Sequence, residues 1–207
     1  MRVCCYVDGF NLYHAIDALA DSSLKWLDLR SLAQSYCSET DELLKVKYFS
    51  ALNTWDAPKR KRHLNYVVAL QNTGTEVLLS KFAKVRKFCN RNNQFCPIRE
   101  EKQTDVSIAV EILSDCYELG LDRIVIISAD SDQVPVVKKI RARFPQIQVL
   151  MVAPPKRLSQ ARELSAACTH SAELTVGRLL KHQLPDEIKD VSQKTVASRP
   201  LEYLIGL

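Results

Sequence analysis

Asp8, Asp105, Asp130 and Asp132 are the residues of this 207-residue chain whose types and surroundings could do chemistry. Two of the stretches that carry them are alike. Val3-Cys4-Cys5-Tyr6-Val7 is apolar and ends in Asp8-Gly9. Ile124-Val125-Ile126-Ile127 is apolar and ends in Ser128-Ala129-Asp130-Ser131-Asp132. An apolar run of about five residues suits a strand buried on both faces, as in a parallel sheet. In open α/β sheets ligands bind beyond the carboxyl ends of the strands, where the strand order reverses. Placed as neighbours, the two strands bring Asp8, Asp130 and Asp132 to one edge. Carboxylates that converge repel each other, and a divalent cation that takes oxygen ligands, Mg²⁺ or Mn²⁺, would stabilise them. Asp105 opens a helix that feeds directly into the second strand, so that helix must begin on the rim where the strand ends. Asn11 follows Asp8 by three residues, which puts both on one side of the strand-to-helix junction.

Such a set suits phosphodiester hydrolysis. A bound metal lowers the pKa of a coordinated water, clamps a non-bridging phosphate oxygen and neutralises charge as the leaving oxygen departs. Asn11 could orient water or phosphate without adding charge, and Lys102 could contact a phosphate. Each Asp alone also fits a plainer role: Asp8-Gly9 as a turn pair, Thr104-Asp105 and Ser131-Asp132 as helix caps. A cap needs one acidic residue per helix. Asp130 with Asp132 at one strand end and Asp8 at another therefore favours a shared site.

The elements that must position these residues alternate between the two periods. Strands are expected over about 2–7, 46–52, 76–79, 123–128 and 147–152, with a short strand-like piece at 172–174. Helices are expected from Phe10, from the Asp28 cap, from Pro58 at a first helical position to Gly74, from Thr104 to Leu119, over 133–144 and over 159–167. The pattern is that of an α/β Rossmann-like three-layer sandwich with a mostly parallel central sheet. Residues 1–177 form the domain. Residues 178–207 read as a helix and tail packed back on it through Leu201, Tyr203 and Leu204.

Two basic stretches are candidates for binding a polyanion. Lys59-Arg60-Lys61-Arg62-His63 opens a helix on the same rim as Asp8, where cations oppose the helix dipole, so a phosphate-binding role competes with a solvated helix end. Residues 81–102 interleave Lys81, Lys84, Arg86, Lys87, Arg91, Arg99 and Lys102 with Phe82, Phe88 and Phe95. The polar Asn90-Arg91-Asn92-Asn93 resembles the tip of a hairpin or an excursion from the main sheet. The segment could follow a single strand by charge and stacking, or bury its Phe residues.

The net charge of +5 is compatible with such a partner without demanding it. The spacing of Cys89 and Cys96, with six residues between them, exceeds the usual zinc spacing. Seven cysteines, mostly within apolar runs, suit reduced thiols and a cytoplasmic protein. No apolar stretch approaches the roughly 20 residues of a membrane helix. The Walker and dinucleotide Gly-rich patterns are absent, which argues against nucleotide hydrolysis or NAD binding.

Val-Asp-Gly-Phe-Asn-Leu-Tyr-His at 7–14, Glu-Lys-Gln-Thr-Asp-Val at 101–106 and Ser-Ala-Asp-Ser-Asp at 128–132, with Gln183-Leu184-Pro185-Asp186 and Arg199-Pro200 in the tail, resemble in order the signature blocks of NYN domains. These are PIN-like metal-dependent nucleases, and the LabA-like bacterial branch is the most similar. The resemblance implies a PIN-like sheet, a Mg²⁺ or Mn²⁺ site and ribonuclease activity. Carried over residue by residue, it marks Asp8, Asn11, Asp105, Asp130 and Asp132. Members often have Gly-Val-Asp where this chain has Gln103-Thr104-Asp105. Glu111 matches a position that is often acidic, though helix periodicity turns it about 240° from Asp105, behind the ligands.

The expected function is metal-dependent cleavage of single-stranded RNA, or of single-stranded DNA, with Lys59, Arg60, Lys61, Arg62 and Lys102 on the nucleic acid. A homodimer is compatible with this. The alternatives are a non-catalytic nucleic-acid-binding or regulatory module and a small-molecule phosphatase, the latter requiring a deep enclosed pocket.

Overall fold

The computed structural model describes residues 1–89 and 93–204. Seven strands form one sheet: β1 (Arg2–Asp8), β2 (Glu42–Ala51), β3 (Glu76–Cys89), β4 (Gln94–Lys102), β5 (Arg123–Ile127), β6 (Gln148–Ala153) and β7 (His170–Glu173), in the order β4-β3-β2-β1-β5-β6-β7. All neighbours are parallel except β3 and β4. The chain builds outward from β1 to β2 and β3, then crosses back and builds the other half from β5. The strand order therefore reverses between β1 and β5, and a crevice opens at their carboxyl ends.

Burial on both faces is why β1 reads as an unbroken apolar run. Val3 to Val7 are fully buried, and alternate residues feed two cores. Cys4 and Tyr6 meet the helices α4 (Thr104–Glu118), α5 (Val134–Arg143) and α6 (Arg162–Ala167). Val3, Cys5 and Val7 meet α1 (Gly9–Asp17), α2 (Leu29–Gln34), α3 (Ala57–Asn72) and α7 (Val176–Lys181). The helices thus cover both faces, making three layers.

The chain beyond α7 forms a small hairpin, β8 (Glu187–Lys189) with β9 (Thr195–Ser198), which packs on α3 through Trp26, Ala69, Leu184, Ile188 and Ala197. Tyr203 joins this cluster, whereas Leu201, expected to pack inward, is 70% exposed. A 3-10 turn at Leu201–Tyr203 sets the half-buried tyrosine against the cluster and leaves the leucine outward.

Other departures have local causes. Strand β3 does not end near residue 79: it continues to Cys89 and pairs with β4 from Lys81↔Lys102 to Cys89↔Gln94, so the basic segment is a long edge hairpin of the main sheet. Pro97 sits on the outermost strand, where its missing N–H costs no sheet bond. Of the tip expected at Asn90 to Asn93, residues 90–92 lie outside the described residues. Asp56, rather than Pro58, starts α3: its carboxylate accepts the Lys59 N–H at 3.0 Å, and Ala57 precedes the proline within the helix.

Gly9 is not a turn residue but the first residue of α1. A Cβ there would lie 2.3 Å from the Tyr48 ring and 2.6 Å from the Phe49 carbonyl oxygen. The backbone of β2 thus fixes how closely α1 can start behind Asp8. Gly9→Ala is expected to cost about 1–3 kcal/mol through overpacking, read as a lower urea midpoint at unchanged m-value. An unchanged midpoint would show that β2 yields freely.

Candidate metal centre

Asp8 ends β1 and caps α1. Its Oδ1 accepts the Asn11 N–H at 3.0 Å, and its Oδ2 accepts the Ser128 hydroxyl at 2.9 Å. The same Ser128 hydroxyl accepts the Asp130 N–H at 3.1 Å, so one fully buried serine ties the ends of β1 and β5 together. Asp130 in turn accepts the Asp132 N–H at 3.0 Å and caps the 3-10 turn that leads into α5. Asp8 and Asp130 are thus caps and converging carboxylates at once. The plainer role and the chemical one are compatible because Asp130 keeps a second oxygen and each Asp8 oxygen, accepting one bond, keeps a second lone pair.

Asp105 is not a cap. The residue before α4 is Gln103, in the left-handed region at φ 78°, and its side chain makes no capping bond. Thr104 gives its hydroxyl to Glu101 instead. Left-handed backbone is where a glycine would be at ease, so the glycine common in the family and the Gln103 of this chain serve the same bend. Asp105 is left in the first turn of α4, held by the Gln133 side-chain amide at 3.3 Å.

Each of Asp8, Asp105 and Asp130 offers a carboxylate oxygen within 4.8 Å of the others. Among the described residues no other group of three His, Cys, Asp or Glu side chains comes so close. They line an open cleft of about 230 Å³ with Phe10, Asn11, Glu100, Glu101 and Thr104. No lysine or arginine is among these lining residues.

The electrostatics follow from the geometry. Burial pushes the Asp8 carboxyl up to about 6, against the bonds from Asn11 and Ser128 and with smaller pushes from Asp105 and Glu101. Burial also raises Asp105, followed by the charges of Asp130 and Asp132. Glu101 is raised by burial too, and by Asp105. Lys87 and Lys102 both pair with Glu100, whereas Asp8, Asp105 and Asp130 have no cationic partner among the described residues, which is the arrangement that a hard divalent ion would stabilise. The donor set therefore fits such an ion, with Asp8, Asp105 and Asp130 as its holders.

Asn11 lies at the cleft, and its Oδ1 accepts the Ala129 N–H at 3.1 Å. That bond uses the acceptor end and leaves the amide NH₂ as the group it can offer. The structure does not bring Asp132 into the triad: it is exposed, and its charge acts on Asp105 from outside. Glu111, expected behind the ligands, is claimed by Lys47 at 2.6 Å in a separate buried ion cluster.

Lys102 is exposed and paired with Glu100, and it is not among the residues lining the cleft. Lys59, Arg60 and Lys61 are exposed on α3, while Arg62 is bound to Glu202 of the tail at 2.9 Å. The residues that sequence reasoning missed here are Ser128, Gln133, Glu101 and Phe10. The signal for Ser128 was present: it is the polar residue that closes an apolar strand beside Asp130. Gln133 gave none, being fully buried at the head of a helix.

The chain matches the NYN domain over residues 2–175. It belongs to the NYN-domain family. NYN domains are part of the PIN-like nuclease superfamily, and the sheet order and acidic triad of this member are those of a nuclease-like fold. A 6-hydroxy-3-succinoylpyridine 3-monooxygenase of Pseudomonas putida is 24% identical over 189 residues, covering 74% of this chain and 60% of that one. This chain therefore spans about 60% of that relative's length. A crystal structure of a protein of unknown function from Vibrio parahaemolyticus is similar in fold, with a TM-score of 0.56 at 19% identity over 88% of this chain and 96% of that one. Among the described residues no helix is long and apolar enough to cross a membrane.

Proposed function

We propose that this NYN domain is a Mg²⁺- or Mn²⁺-dependent ribonuclease that hydrolyses phosphodiester bonds in single-stranded RNA. The observation that carries the reading is the meeting of Asp8, Asp105 and Asp130, from three different elements, at the point where the strand order reverses. When bound, a divalent cation supplies an activated water and neutralises charge on the phosphate. The chain's own residues hold and align. Asp8, Asp105 and Asp130 provide the oxygens. The Asn11 amide donates to a phosphate oxygen or to water. Gln133 and Ser128 keep two of the carboxylates in orientation.

RNA binding without catalysis would gain nothing from carboxylates at the phosphate position, which weighs against a purely regulatory module. The cleft of about 230 Å³ falls below the roughly 300–1,000 Å³ of small-molecule sites, which weighs against a small-molecule phosphatase. The monooxygenase name belongs to a longer relative. An all-Asp donor set suits hard-cation hydrolysis better than the two-His, one-carboxylate set of non-haem iron oxygenases. The buried thiols Cys4, Cys5, Cys116 and Cys168 are in keeping with a reducing, cytoplasmic setting.

The test is cleavage of an end-labelled, unstructured RNA with Mn²⁺ or Mg²⁺, with and without EDTA. Cleavage that needs the metal is expected. Tight binding of the RNA with no cleavage under any metal would sink the nuclease and leave a binding module.

A further inference from the structure

A second cleft, of about 250 Å³, lies beside the acidic one and is lined by Thr54, Trp55, Phe82, Ala83, Lys84 and Arg99. The period-2 alternation of the β3–β4 hairpin builds it. Phe82, Lys84, Arg86 and Phe88 share one face with their partners Glu101, Arg99, Pro97 and Phe95. That face meets Trp55, which stands in the loop between β2 and α3.

The Phe82 ring lies 4.9 Å from the Trp55 ring, centroid to centroid, at 86°. The Arg99 guanidinium sits 4.0 Å over the Trp55 ring. On its other side Phe82 touches Phe10 at 6.2 Å, and Phe10 lines the acidic cleft. The two clefts are therefore joined by one aromatic pair.

Charge pairing differs between the two faces of this hairpin. On the opposite face Lys87 and Lys102 both pair with Glu100. On the Trp55 face, Lys84, Arg86 and Arg99 have no carboxylate partner among the described residues. Trp55 remains 43% exposed, and Phe10 41%. Exposed rings interleaved with unneutralised cations match a strand of unpaired bases, whose faces stack on rings while their phosphates meet the cations.

We propose that the Trp55–Phe82–Arg99 cleft is a stacking subsite for an unpaired base of the RNA strand. It holds the strand at a fixed distance from the acidic triad and so selects single-stranded substrate. This rests on the ribonuclease reading for its substrate but not for its test. A duplex keeps its bases stacked on each other and cannot present a face to Trp55. Arg99, already 4.0 Å over the indole, offers its N–H fork to the neighbouring phosphate.

The chain has two tryptophans. Trp26 is fully buried and Trp55 exposed, so Trp55 reports on the cleft directly. Intrinsic fluorescence is titrated with oligo(U), and with a base-paired hairpin of equal length, in EDTA so that nothing is cut. Saturable quenching by oligo(U) and not by the hairpin is expected, and its loss in Trp55→Phe. Trp55→Ala and Arg99→Ala should each weaken oligo(U) binding about tenfold or more. Lys87→Ala, on the opposite face, should change it less than about twofold.

Equal quenching by both RNAs, or Trp55→Ala and Arg99→Ala binding as tightly as the wild type, would overturn the subsite. The two readings fail separately. Quenching and weakened binding in a protein that never cuts RNA would keep the subsite and remove the nuclease. Metal-dependent cutting with no quenching would do the reverse.

Discussion

Asp8→Asn is expected to reduce metal-dependent RNA cleavage at least about a hundredfold and, in EDTA at neutral pH, to make the protein more stable. The first effect follows from removing one of three converging ligands, since even outer hydrogen-bond partners of metal ligands commonly cost 10–100-fold. The second follows from linkage. The Asp8 carboxyl rises from 3.8 to about 6 in the folded protein, chiefly through burial. The folded protein therefore holds this proton more tightly than the unfolded chain does.

Below about pH 4 the group is protonated in both states and costs nothing. Between about pH 4 and 6 stability falls as the pH rises, and above 6 the full penalty remains, about 3 kcal/mol. Asparagine carries no charge, still accepts the Asn11 N–H on its one oxygen and is a good N-cap; its NH₂ replaces the oxygen that accepts the Ser128 hydroxyl, so that bond must reverse, with the amide donating to Ser128 Oγ. Thermal unfolding in EDTA at pH 8 should show the variant more stable by up to about 3 kcal/mol, less whatever the reversed Ser128 bond costs, with the gain lost toward pH 4. Added Mn²⁺ should stabilise the wild type, by about 2.7 kcal/mol at a hundred times its Kd, and the variant much less. A variant less stable than the wild type by the same amount at both pH values would mean that the hydrogen bonds of Asp8 outweigh its burial penalty, and equal stabilisation of both proteins by Mn²⁺ would mean that Asp8 is no ligand.

Lys47→Met is expected to destabilise the fold by about 3–5 kcal/mol. Lys47 lies on β2, is 3% exposed, and places its ammonium 2.6 Å from both Glu111 and Asp115 of α4. Asp115 is 2% exposed and also accepts the Tyr6 hydroxyl at 2.8 Å, with Lys45 at 3.5 Å. Removing the ammonium leaves a buried carboxylate beside a tyrosine and two thiols. Adding Asp115→Asn to Lys47→Met should recover part of the loss, because it removes the stranded charge and keeps an acceptor for Tyr6.

Urea denaturation of the two variants measures this, and a loss below about 1 kcal/mol for Lys47→Met would show that water reaches the site. The cluster has a bearing on chemistry as well. It clamps α4 to β1 and β2, and the first turn of that helix carries Asp105. Lys47→Met should therefore also weaken Mn²⁺ binding in whatever fraction remains folded.

Much of this protein is written locally. The apolar runs Val3–Val7 and Ile124–Ile127, each followed by carboxylates, gave β1 and β5, their parallel sense and the rim where the acidic residues meet, because only a strand buried on both faces needs such a run. Asp8, Asp105 and Asp130 could be chosen for the same reason: an acidic residue at a strand end or helix start of that rim has few places to point. The alternation of rings and cations over 81–99 was legible too, since a period of two is a property of the chain itself.

What the sequence left open depends on distance through space. Whether the basic segment leaves the sheet or extends it was decided in two steps: residues 76–80 are held by β2, about 30 residues earlier, and residues 81–89 continue the same strand by pairing with β4. That Lys47 is buried could not be read, because a lysine in a strand is ordinarily a solvent-facing residue. Only the arrival of Asp115 and Glu111 from a helix more than 60 residues later makes burial tolerable. The exclusion of Asp132 from the triad has the same origin. Asp130 and Asp132 look equivalent in sequence, but Asp130 spends one oxygen capping the turn, and that turn carries Asp132 outward. Trp55 shows the same limit: nothing near it in sequence marks it, and it gains a role only where the hairpin brings Phe82 and Arg99 against its ring.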